Sequence, residues 1–274
     1  MPEKPQADML LGRQVPAVEH YSPELLFPIP RNTARESLGI DGSCSFHGVD
    51  IWHAYEMSWL WPAGMPVSRV GRFSVPANSP NMVESKSFKL YLNSLNNTVY
   101  DSEQQARETI ERDISRVAGD SVTLELFGAD DRALEGRRPV GDCLDELSVK
   151  IPEGEPQASM LAHREGAEVA ECFHTHLMRS LCPVTGQPDW ATVWIAHRGQ
   201  PWDKKALLAY LLAYRNHQEF HEQCVERIFC DISRQLQPAD LRIQAFYTRR
   251  GGLDINPYRS SDARSIPLPR MNRQ

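Results

Sequence analysis

The sequence predicts an α+β fold of two successive modules, 1–150 and 151–274, each with two strands, two helices and a closing strand. Three observations predict it. Runs rich in aromatic and β-branched residues come in pairs around Pro/Gly turns, as the strands of a hairpin do. Each pair is followed by stretches whose apolar residues recur three or four positions apart, the period of a helix with one buried face. The two halves also align with each other at an offset of about 120 residues, the mark of a duplicated unit. Leu60-Trp61-Pro62 falls on Leu181-Cys182-Pro183, Glu84 on Asp203, Lys86 on Lys205, Tyr91-Leu92 on Tyr210-Leu211 and Asn97 on Asn216.

Asp50 to Leu60 and Arg69 to Val75 read as the first hairpin, split by the turn WPAGMP. From Lys86 to Asn97 the residues Phe88, Leu92 and Leu95 keep helical spacing. Ser102 and Gln105 have the spacing of a capping box opening a second helix, whose buried stripe is Ala106, Ile110, Ile114 and Val117. Gly119-Asp120 stops that helix, and Ser121 to Phe127 alternates as a strand. The stretch 128–166 is rich in Gly, Pro and acids, with a strand-like piece near Leu144 to Ile151, and holds the junction. Beyond it, Val169 to Met178 and Ala191 to Ala196 read as strands, Lys204 to Tyr214 and Glu219 to Leu236 as helices, and Leu241 to Thr248 as the last strand. The later helix should bury Phe220, Cys224, Ile228 and Ile232 at i+4 steps.

The composition, 41% hydrophobic and 24% charged over 274 residues, is that of a globular protein with a core and excludes a disordered or fibrous chain. A net charge of -6 argues against a protein whose work is neutralising a phosphate backbone. If the chain serves nucleic-acid chemistry, it acts on a small precursor. The start MPEKPQADML puts charge and proline where a secretory leader needs an apolar core. The longest apolar run, Ala206 to Tyr214, is far short of the roughly 20 residues that span a bilayer, so a cytoplasmic protein is expected. Six dispersed cysteines with no CxxC pair are expected to be reduced, leaving any of them available as a nucleophile.

Four segments are candidates for chemistry. In SLCPVTGQPDWAT, Pro183, Gly186 and Pro188 fold a tight loop that returns Asp189 toward Cys182. A thiol with a nearby acid is a nucleophile and proton-donor pair, or else a hairpin with a buried cysteine. In RNHQEFHEQCVER, His221 and Glu222 open a helix. There an acid suits the helix dipole, and a carboxylate can also accept two hydrogen bonds from an amidine-like edge. In VESKSFKLY, Ser85, Lys86, Ser87 and Lys89 start a helix where anions bind, or form a solvated face. In TRRGGLDIN, two arginines precede a Gly pair that lets a phosphate approach, or ends a strand in a turn. Cys172, His174 and His176 alternate and offer three zinc ligands, although alternate residues on a flat strand splay about 7 Å apart. No GxGxxG or GxxxxGK[ST] pattern is present.

Together with FPIPR at Phe27 to Arg31, the segments ESKSFKLY, LCPVTGQPDWA, FHEQCVERIF and RRGGLDINPYRS closely resemble the NADPH-dependent 7-cyano-7-deazaguanine reductases, the nitrile reductases (QueF) of queuosine biosynthesis, in their long two-module form. The resemblance implies tandem tunnelling-fold (T-fold) modules, with antiparallel sheets and helices packed on one face, related to GTP cyclohydrolase I, and a homodimer. It implies Cys182 and Asp189 as catalytic residues. Val83, Glu84, Ser85, His221 and Glu222 are then substrate-binding, and Ser85, Lys86, Arg250 and Gly251 contact NADPH. No metal is implied, and no direct contact with nucleic acid or membrane. A zinc-dependent cyclohydrolase on the same fold, using Cys172, His174 and His176, is the alternative, and a Cys-His-Asp hydrolase a further one.

Overall fold

The computed structural model describes residues 20–40 and 45–274. In chain order it contains β1 (Pro28–Pro30), α1 (Asn32–Ser37), β2 (His47–Leu60), β3 (Pro66–Pro76), β4 (Asn81–Val83), α2 (Ser85–Ser94), α3 (Glu103–Ala118) and β5 (Thr123–Phe127). There follow β6 (Asp142–Cys143), β7 (Val169–Leu181), β8 (Pro188–Gly199), α4 (Lys204–Ala213), α5 (His221–Leu236), β9 (Asp240–Tyr247) and β10 (Leu253–Ser260). Eight strands form one sheet in the order β5-β3-β2-β10-β9-β8-β7-β6, and β1 pairs separately with β4. Pairing is antiparallel except between β6 and β7. The fold is therefore mixed α+β with antiparallel sheets, as the alternation of hairpins and helical stretches predicts.

The two halves meet where β10 pairs with β2, from Leu253 opposite Ala54 to Ser260 opposite His47. Each half has a long hairpin interrupted at the same place, between Ala54 and Met57 in β2 and between Thr175 and Met178 in β7. The first strand of each hairpin then forms a parallel bridge to the link between the two helices that follow, Leu60 to Val99 and Leu181 to Gln218. Two apolar cores result. One gathers Trp59, Phe73, Phe88, Tyr91, Ile110 and Ile114 from β2, β3, α2 and α3; the other gathers Phe173, Ile195, Tyr210, Cys224, Ile228 and Ile232 from β7, β8, α4 and α5. Burying a large apolar side chain contributes about 1.5–3 kcal/mol, so these stripes fix which helix face meets the sheet.

Several expectations need correction. Leu144 to Ile151 is not a strand: Leu144 is buried and donates its amide to the His174 carbonyl at 2.9 Å, and the chain beyond it runs through turns. The capping box at Ser102 is half made. The Ser102 hydroxyl accepts from the Gln105 amide at 3.1 Å, but the Gln105 side chain accepts from Asp101. Phe220 is not part of the α5 stripe but its N-cap, packed with Ile29 and Met82. The closing segment Leu253–Ser260 is a fully buried strand, where only a strand end and a glycine turn were expected. Cys143, Cys172, Cys182 and Cys224 are free, whereas Cys230 is disulfide-bonded, against the expectation of reduced thiols; Cys44 lies outside the described residues. Among the described residues, no helix is long and apolar enough to cross a membrane.

Candidate active site

A cavity of about 350 Å³ opens where the two halves meet. Its walls come from β4 and the start of α2, the β7–β8 loop, the start of α5 and the β9–β10 turn, with Trp52 of β2 at its floor. All ten residues singled out as catalytic, substrate-binding or cofactor-binding line it: Val83, Glu84, Ser85, Lys86, Cys182, Asp189, His221, Glu222, Arg250 and Gly251. They are separated by up to 168 positions in the chain, Val83 to Gly251, so sequence proximity alone does not unite them.

The β7–β8 loop closes by two backbone bonds, the Cys182 amide to the Gln187 carbonyl and the Gly186 amide to the Cys182 carbonyl, both 2.9 Å. Gly186 sits at φ 68°, a conformation that costs other residues about 1–2 kcal/mol. The loop leaves Cys182 nearly buried at the cavity wall and places Asp189 at the start of β8, opposite Ser180. Asp189 is held from two sides. Its Oδ2 lies 3.2 Å from His221 Nε2, and its Oδ1 accepts from Arg250, whose second nitrogen donates to Gln187 Oε1 at 2.9 Å. Burial pushes the Asp189 carboxyl up, but His221 and Arg250 outweigh it and hold the group below its usual range. His221 stacks on Tyr247 with ring centroids 3.7 Å apart, and its Nδ1 is unpartnered. With Nε2 turned to Asp189 and Nδ1 unpartnered, His221 does not make the Cys-His bond that a hydrolytic triad needs.

Two further carboxylates face the cavity. Glu84 caps α2, accepting from the Lys86 and Ser87 amides at 2.8 and 2.7 Å. Burial raises its pKa, and those amides only partly offset the rise. Two of the N–H groups expected to receive an anion at this helix start are thus already used by Glu84. Glu222, in the first turn of α5, is 4% exposed rather than solvated. Burial, and then the charge of Asp50, push it up to about 7. Between these carboxylates the walls are apolar, from Ile29, Val83, Phe220 and Ile255.

The rim is cationic. Lys86, Lys89 and Arg250 surround the mouth, with Lys89 paired to Glu56. Arg250 and Leu253 exchange backbone bonds across Gly251 and Gly252, whose φ values of 59° and 80° make a primed hairpin turn. A Cβ on Gly251 would meet nothing within 4 Å, so the backbone there is open to a ligand. Sequence reasoning missed Glu219 and Gln187, which line the same cavity; Glu219 is clamped by Arg227 at 2.7 and 3.0 Å and by His217 at 3.0 Å. Cys172, His174 and His176 line another part of β7, and the bulge after Thr175 breaks their alternation. His176 Nδ1 is 2.9 Å from the Thr192 hydroxyl, and among the described residues no group of three or more His, Cys, Asp or Glu could hold a metal ion.

A nearly buried thiol beside an ion-paired carboxylate, facing a second buried carboxylate across an apolar slot with a cationic rim, defines an enzyme site for a flat ligand with polar edges and an anionic co-substrate. Residues 17–126 match the family described as nitrile reductase, 7-cyano-7-deazaguanine-reductase N-term, and residues 188–265 match the QueF-like protein family. The chain is 51% identical over 260 residues to the NADPH-dependent 7-cyano-7-deazaguanine reductase of Dechloromonas aromatica, covering 94% of this chain and 92% of that one. It is 48% identical to the enzyme of that name from Chromohalobacter salexigens, over 96% of each chain. It is 49% identical to that of Acinetobacter baumannii, over 97% and 98%. The chain belongs to the NADPH-dependent 7-cyano-7-deazaguanine reductase family.

Proposed function

We propose that this chain reduces the nitrile of 7-cyano-7-deazaguanine (preQ0) to the primary amine of 7-aminomethyl-7-deazaguanine (preQ1), using NADPH and a covalent thioimide on Cys182. The reading is carried by one observation: Cys182, Asp189 and Glu222 arrive from the β7–β8 loop, β8 and α5 in a single cavity. A nitrile carbon is a poor hydride acceptor. Addition of the Cys182 thiol across the triple bond forms an S–C bond and moves the thiol proton to nitrogen, giving a C=N carbon that accepts hydride more readily. Asp189 carries that proton, ionised before addition and neutral as an intermediate donor. The sulfur departs after the first reduction, and the enclosed cavity keeps water from the imine until the second. Glu222 and His221 hold the deazaguanine, Glu222 by accepting from its amidine-like edge. Val83, Glu84 and Ser85 line the same slot.

Ser85, Lys86, Arg250 and Gly251 suit NADPH because the rim supplies cations for phosphate and an open glycine backbone. Bound NADPH supplies hydride to carbon, two equivalents per nitrile, which with two protons makes a four-electron reduction. The finer architecture we infer is two T-fold modules, 1–150 and 151–274, in a cytoplasmic homodimer related to GTP cyclohydrolase I. The matching bulges and bridges of the two halves support the duplication. The testing experiment adds the nitrile to purified protein and NADPH. Loss of nicotinamide absorbance, two equivalents per amine formed, is expected; no oxidation, or a requirement for stoichiometric zinc, would overturn the reading.

A further inference from the structure

FPIPR ends on a residue outside the cavity. Arg31, 2% exposed, follows β1 and points into a buried ladder of charges behind α5. Its Nη2 lies 2.5 Å from Asp50 Oδ2 and its Nε donates to Ser79 at 3.2 Å. Arg259 bridges Asp50 Oδ1 at 2.7 Å and Glu226 Oε1 at 2.8 Å, and Arg35 grips both oxygens of Glu226 at 2.6 and 2.9 Å. The ladder thus sets three cations, Arg31, Arg35 and Arg259, against two carboxylates, Asp50 and Glu226. It is one negative charge short. Arg31 Nη1 has no hydrogen-bond partner and stands 3.8 Å from Glu226. Glu222 sits one helical turn before Glu226, hence on the same face of α5. It adds a further carboxylate on that face, and the charges of Asp50 and Arg31 act on it in opposite senses.

We propose that Arg31 is a positioning residue for substrate recognition: its buried guanidinium edge, which makes no hydrogen bond, holds Glu222 as a carboxylate, the form that accepts the N–H groups of the deazapurine. The proposal rests on Glu222 being the substrate-binding carboxylate. A buried cation without a full set of acceptors costs stability, so its retention beside the slot calls for a function of this kind. Glu222 also faces His221 on its own helix, and Glu84, Asp189, Arg250 and Lys86 line the cavity around it. Of these, His221 acts on it in the same sense as Arg31.

Binding of 7-cyano-7-deazaguanine is measured by calorimetry between pH 6 and 9 in the full chain carrying Cys182→Ala, so that no adduct forms. Affinity should rise about tenfold from pH 6 to 8 as Glu222 ionises. Adding Arg31→Met should weaken binding at pH 7 by about tenfold and move the midpoint up, with affinity recovered at pH 9. Arg31→Lys, which keeps the charge, should stay near the parent. Asp50→Asn removes the opposing charge and should move the midpoint down, strengthening binding at pH 6; it serves if Arg31→Met does not fold. A loss in Arg31→Met that persists at pH 9, or a midpoint unmoved by Asp50→Asn, overturns the proposal. Glu222→Gln should bind weakly at every pH; tight binding by that variant overturns instead the assignment of Glu222 on which the proposal rests.

Discussion

Replacing Glu222 by glutamine should stabilise the free protein while removing its grip on the ligand. The side chain is 4% exposed, and burial, then Asp50, raise its carboxyl from 4.5 to about 7. Holding a carboxyl there instead of at its ordinary value is worth about 3 kcal/mol, at about 1.4 kcal/mol per tenfold. The sign follows from which form the fold prefers. The folded state favours the neutral acid, so the contribution is fully present below about 4.5 and is lost as pH rises through about 7. By pH 8 wild type bears a buried charge that the near-isosteric amide lacks. Urea unfolding at pH 5.5 and pH 8 should show the advantage of Glu222→Gln growing by about 2 kcal/mol between the two. An advantage that does not change with pH, or a variant less stable than wild type at pH 8, refutes the electrostatic reasoning.

Arg259→Met leaves Asp50 and Glu226 short of their shared cation and should cost about 3–5 kcal/mol in urea unfolding at neutral pH; a loss under about 1 kcal/mol would show that the ladder relaxes without it. Arg250→Met removes one of the two partners holding Asp189 low. The acid limb of kcat/KM should move to higher pH and the KM for NADPH rise, and an unchanged profile would separate Arg250 from both roles. Gly252→Ala forces a side chain at φ 80° with its Cβ 2.6 Å from the Glu56 carboxyl carbon. It should cost about 1–2 kcal/mol and weaken NADPH more than nitrile binding, read by thermal unfolding and the two KM values.

The hairpins and helices were legible because their apolar residues face one way at a regular period, as in α3, where Ala106, Ile110 and Ile114 are fully buried. Strand β10 was not. Its Asp254, Asn256 and Arg259 interrupt any apolar pattern, yet each is buried in a hydrogen-bonded network, Asp254 with His53 and Tyr55, Asn256 with Ile51, Arg259 with Asp50 and Glu226. Polarity signals exposure only when no partner waits across the fold, and apart from Glu226 in α5 those partners lie roughly 200 positions away in β2. Glu222 reads in the sequence as a helix-start acid or a carboxylate for an amidine-like edge, but its burial comes from tertiary packing that the sequence does not display. The site residues themselves were legible through their motifs. Glu219 and Gln187 stand inside two of those motifs, but nothing in their residue type set them apart from their neighbours.

Denaturing mass spectrometry of the protein incubated with 7-cyano-7-deazaguanine, without NADPH, tests covalent catalysis most directly. The peptide carrying Cys182 should gain the mass of the intact nitrile, since thiol addition loses no atom, and Cys182→Ala should gain none and lose turnover by several orders of magnitude. An unmodified Cys182 peptide from protein that reduces the nitrile would contradict the thioimide.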